Sequence, residues 1–143
     1  MQVVDDMTIS AYIVDLLKEY EGIEIDMNHM PEGSDKYGLF KSPSRNTKDF
    51  MDGSYEITEF YQFNARQASL SSIERKENDE WLEDLAYWAD DFPYNYNFPK
   101  IDKNRTVTGF SITGNPYPMA ADDRETMYEM SLSITYIRER EAI

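Results

Sequence analysis

Cysteine is absent from the 143-residue chain, and histidine occurs once. The first absence removes disulfides, zinc–thiolate sites and thiol nucleophiles. The second leaves His29 as the single imidazole, in Asn28-His29-Met30-Pro31-Glu32-Gly33, which reads as a surface loop between strands. No local signature of a Ser-His-Asp arrangement surrounds it. Six scattered glycines form neither a phosphate-cradling loop nor a dinucleotide fingerprint. The acid pairs Asp5–Asp6, Asp90–Asp91 and Asp122–Asp123 lack the spacing of a calcium loop and read as solvated charge. No catalytic, cofactor-binding or metal-ligating set emerges, so the chain is expected to be a non-enzyme that carries no cofactor. Long apolar runs are also missing, and Met1-Gln2-Val3-Val4-Asp5-Asp6 has no basic n-region, which points to a soluble cytoplasmic protein.

Basic residues are scarce as well. Twenty-eight acids face fourteen bases, for a formal charge of −14. A basic footprint for sequence-specific nucleic-acid binding is therefore missing. The excess is uneven: residues 1–38 hold nine acids and two bases, 71–103 hold nine and four, and 39–70 balance at four and four. The acid thus concentrates where helices are predicted, as a solvated surface.

What the chain has in quantity is apolar and aromatic side chains, at 41% and 14%, which suits one domain over 1–143 with a real core. Thr8 is placed to cap a helix over about 8–21, with Ile9, Ile13, Leu16, Leu17 and Tyr20 at helical spacing and Gly22 as the stop. Strands are predicted at about 23–27 and 37–41, followed by a polar loop from Ser42 to Gly53. Residues 54–67 alternate with period two: Tyr55, Ile57, Glu59, Tyr61, Phe63 and Ala65 share one face, with Glu59 and Phe60 as exceptions to the apolar–polar rule. At that length the strand must bend or project beyond a domain of this size. Ser71 and Glu74 form a capping-box pattern opening a helix over about 71–91. Its stripe is Trp81, Leu82, Leu85, Trp88, Ala89 and Phe92, read as core, and Pro93 is predicted to end it. Phe92 to Pro99 reads as an aromatic loop, either folded onto the core or exposed to a partner. Strands follow at 105–113 and 126–139, with a turn at 114–118. The expected fold class is α+β, a mostly antiparallel sheet of about five strands packed with two helices.

The runs Tyr61-Gln62-Phe63-Asn64-Ala65-Arg66-Gln67, Glu74 to Trp88 and Met127 to Tyr136 give the chain a resemblance to small minor capsid or tail-completion proteins of tailed bacteriophages of Gram-positive hosts. The likeness spans Ile9 to Glu139 and rests on element order and packing residues. It implies a tail-terminator-like α+β subunit in the virion, assembled in the host cytoplasm. Such a subunit joins others in a ring, often a hexamer, that caps the tail tube and meets the head-completion proteins. A head-to-tail ring needs two different patches on each subunit. The expected ones are the Lys41–Gly53 segment, with Lys41, Arg45 and Lys48, and the aromatic segment with Phe92, Tyr94, Tyr96 and Phe98. The charge also fits an alternative, an acidic DNA mimic that inhibits a nucleic-acid enzyme.

Overall fold

The computed structural model describes residues 3–4, 8–95, 100–101 and 103–140. Nine elements follow one another: β1 (Val3–Val4), α1 (Ile9–Lys18), β2 (Ile25–Met27), β3 (Lys36–Asp49), β4 (Tyr55–Ala68), α2 (Ser72–Asn95), β5 (Lys100–Ile101), β6 (Arg105–Ala121) and β7 (Glu125–Arg138). Among the described residues the fold is α+β, with two helices and a mostly antiparallel sheet of four long strands, the three-residue β2 at one margin and two strands of two residues at the other. Strand order is β1-β5-β6-β7-β4-β3-β2. Only the outermost pairs, β1 with β5 and β2 with β3, are parallel.

The centre of the sheet is β4 against β7. Their fourteen pairs run without a shift from Tyr55↔Arg138 to Ala68↔Glu125. Alternation on both strands holds this register. Ile57, Tyr61, Phe63 and Ala65 of β4, and Tyr128, Met130, Leu132, Ile134 and Tyr136 of β7, are buried on one face. A one-residue slip would turn all of them to the other side. The predicted long strand therefore runs the full length of the sheet, about 45 Å, and does so between two partners.

Both helices cover that same face. Thr8 caps α1 as expected, its Oγ1 accepting from Ala11 N at 3.2 Å, and Ser71 Oγ accepts from Glu74 N at 3.1 Å at the start of α2. Helix α1 buries Ile9, Tyr12, Ile13, Leu16 and Leu17, while α2 buries Leu82, Leu85, Ala86, Ala89 and Phe92. Six aromatic rings then join sheet to helix in an unbroken run. Phe63 meets Tyr37, Tyr37 meets Trp81, Trp81 meets Tyr20, Tyr20 meets Trp88 and Trp88 meets Phe92, with centroids 5.2–5.9 Å apart. Contacts of this kind add stability beyond area burial, and Trp81 Nε1 donates to Glu21 Oε2 at 2.7 Å. The two tryptophans are packing residues, as their stripe implied.

Three sequence-based boundaries are corrected. The Ser42–Gly53 loop is mostly strand: β3 continues to Asp49 after a register shift between Lys41 and Arg45, and only a tight turn at Met51–Gly53 joins it to β4. The turn at 114–118 is likewise strand, because β6 continues to Ala121 through four register shifts. Proline halted both readings. Pro43, Pro116 and Pro118 all lie on the two outer long strands, next to bulges, where a missing N–H costs no interior ladder bond. Finally, α2 runs through Pro93 to Asn95. Proline's own φ is helical, and what it removes is the amide that the Ala89 carbonyl would otherwise accept.

The link from β2 to β3 crosses the other face. Arg66 Nη1 donates to the Pro31 carbonyl at 2.6 Å, and a Cβ at Gly38 would lie 2.7 Å from the His29 carbonyl oxygen. That oxygen is backbone and cannot swing aside. Gly38→Ala is expected to cost about 1–3 kcal/mol of stability, as overpacking does. An unchanged urea midpoint would show that the 28–35 link yields freely.

Candidate functional site

Three surfaces could carry function, and each follows from where the sheet lacks cover. The first is the outer side of β3. Beyond Leu39, where β2 ends its pairing, the strand carries Lys41, Arg45 and Lys48 along an exposed edge. These residues were expected on a loop and lie on a strand instead. Lys41 stands across from Tyr61, and Arg45 across from Glu59. Lys48 Nζ sits 5.9 Å from the Phe50 ring centroid.

Beneath this edge lies the polar residue that broke the β4 pattern. Glu59 is buried at 7% exposure on the helix-covered face. Tyr61 Oη donates to its Oε1 at 2.8 Å, Tyr136 Oη donates to its Oε2, and Lys41 Nζ lies 3.9 Å from Oε1. A buried carboxylate is tolerated because two hydroxyls and a nearby ammonium replace its water. A shallow cleft of about 370 Å³ opens above it, lined by Lys41 to Arg45 and Glu59. Sequence alternation flagged Glu59 as an exception but could not name its partners, since Tyr136 lies 77 positions away.

On the opposite margin, a groove of about 590 Å³ lies between α2 and the outer side of β6. Asp79, Glu83, Tyr87 and Asp90 line the helix wall, and Ile112 to Pro116 form the strand wall. Spacings of four and seven place the three acids on one stripe of the helix. Asp90 Oδ1 accepts from Ile112 N at 3.3 Å, so this amide points away from β7. Tyr87 and Tyr117 stay 59% and 47% exposed. Nothing in the sequence foretold this groove, because it needed β6 to continue past Thr113.

The third surface is the part of the other face of the sheet that the link between β2 and β3 does not cross. It is rich in hydroxyls: Thr58 Oγ1 lies 3.1 Å from Thr135 Oγ1, and Ser111 Oγ 3.1 Å from Ser133 Oγ. Phe60 is half-buried there among Ser42, Ser44, Asn46, Gln62, Thr113 and Ser131.

The expected aromatic patch separates into parts. Phe92 is 4% exposed and packs on Trp88, so it belongs to the core. Tyr94 lies in the last turn of α2, and Tyr96 and Phe98 lie outside the described residues. His29 is an exposed loop residue 3.3 Å from Asp26. Among the described residues no three His, Asp or Glu side chains converge to hold a metal ion. No described helix is long and apolar enough to cross a membrane. No protein-family model matches the chain, and no curated protein sequence matches it.

Glu59→Ala strips the acceptor from two buried hydroxyls and opens a void, and is expected to cost about 2–4 kcal/mol. Glu59→Gln keeps an acceptor and should cost less. Equal unfolding midpoints for both variants would mean that the hydroxyls find other partners.

Burial raises the pKa of Tyr12, Tyr61 and Tyr136, and for the last two the bond to Glu59 pushes the same way. An unfolded tyrosine ionises near 10, while these three keep their protons above that pH. Their stabilisation is therefore complete below about pH 10 and is lost as pH rises beyond it. In an alkaline titration they should ionise only as circular dichroism is lost. Tyrosinate absorbance from all eleven tyrosines with the dichroism intact would contradict this.

Proposed function

We propose that the protein is a structural subunit that associates head to tail into a ring. Its role in this reading is that of a tail terminator or head–tail joining protein of a tailed bacteriophage, capping the tail tube and presenting a surface to the head. The observation that carries the reading is the pair of unlike sheet margins, one basic along β3 and one acidic between α2 and β6. A two-fold dimer uses one patch twice, whereas two different complementary patches generate a ring or an open helix of copies. The resemblance in element order supplies the choice of a phage tail.

On α2, Asp79, Glu83 and Asp90 face a strand edge across a groove, where Asp90 is engaged by Ile112 N, and this set supports assembly. Glu77, Glu80 and Asp84 are exposed outside the groove and are the acids that a DNA mimic would use.

A charge of −14 opposes self-association until it is screened. Light scattering across protein concentration and Mg²⁺, with electron micrographs of each sample, should reveal closed rings with a central hole. Open filaments would sink the ring reading, and so would a monomer under every condition.

A further inference from the structure

We propose that the free edge of β3 in one copy adds to the free edge of β6 in a second copy, beneath α2 of that copy. Arg45 and Lys41 then face Asp79, Glu83 and Asp90 across the contact. The inference rests on the self-assembly reading above and names the surface that carries it.

Strand direction permits the pairing. The four long strands alternate in direction across β6-β7-β4-β3. A second copy placed beside the first by simple repetition therefore sets its β6 antiparallel to β3, and the helix layers stay on the same side. Edge addition of this kind is a recurrent mode of recognition, in which main-chain bonds give affinity and side-chain pockets give selectivity.

Side-chain placement agrees. Residues directly opposed on neighbouring strands share a face. Lys41 opposes Tyr61 and Arg45 opposes Glu59, so both cations stand on the helix-covered face of the sheet. The acids of α2 stand above that same face at the other margin. Opposite charges meet without either subunit turning over.

The flanking strands set the stagger. β2 occupies the outside of β3 at Tyr37–Leu39, and Asn28 Oδ1 accepts from Lys41 N at 3.2 Å. β5 occupies the outside of β6 at Arg105. Among the described residues the open stretches are thus 43–49 on β3 and the part of β6 beyond Arg105, with Pro116 and Pro118 blunting its far end. Through the paired registers Arg45 is level with Phe110. A slide of two residues, roughly 7 Å, clears β5, sets Arg45 opposite Ile112 on the helix-covered face and brings it alongside the groove. In the isolated subunit Asp90 holds Ile112 N, the place a neighbouring strand's carbonyl takes in the assembly.

The test is sedimentation of four proteins under the condition that assembles wild type: wild type, Arg45→Glu, Glu83→Lys, and the two changes combined. Both altered side chains are exposed, and circular dichroism checks the fold of each variant. Each single reversal is expected to weaken association tenfold or more, given how tightly close charge pairs can couple across interfaces, and the double reversal to restore it. Rings from Arg45→Glu with wild-type affinity would overturn this interface while leaving the ring reading standing. Charge-sensitive open filaments would do the reverse. A wild-type chain that stays monomeric overturns both.

Discussion

Everything else in this fold hangs on the unbroken pairing of β4 with β7. Fourteen consecutive pairs leave no slack, so every residue on these strands is committed to a face. The buried face receives both helices, and the hydroxyl-rich face receives the link before β3. Where the central pair admits no shift, the strands outside it absorb the irregularity: β3 shifts once and β6 four times. Bulges at a margin bend the strand and increase its twist, which lets a sheet of this length stay wrapped around a single layer of two helices.

The run of rings from Phe63 to Phe92 ties the helix layer to this sheet. It passes through residues of β4, β3, α2 and the segment after α1, so no single element of these can leave without breaking a ring–ring contact. Glu59 plays the complementary part near the other end of the buried face. Its carboxylate gathers hydroxyls from β4 and β7 under the β3 edge, which fixes the polar rim of the core. Aromatic packing and one satisfied carboxylate together explain how a chain so acidic keeps a closed interior.

Both margins of the sheet combine open backbone with charge, cations predominating along β3 and acids beside β6. Exposed strand edges are a hazard that proteins usually blunt with proline, charge and bulges. Here Pro43, Pro116 and Pro118 shorten the available edge rather than remove it, leaving a defined stretch on either side. Such shortened edges suit regulated association better than indiscriminate aggregation.

The sequence by itself determined the identity of most elements. Alternation placed β4 and β7 within a residue at each end, side-chain oxygens of Thr8 and Ser71 marked both helix starts, and the α2 stripe named its core residues. These signals are local, because each is written within a few turns or pleats of chain. Only the tertiary structure decided that β3 and β6 continue past their prolines. A proline stops a strand or is tolerated by it according to whether a neighbour needs its N–H, and neighbours come from distant parts of the chain. The partners of Glu59 and the groove beside α2 were hidden for the same reason, since they are made where long strands with no local relation lie side by side.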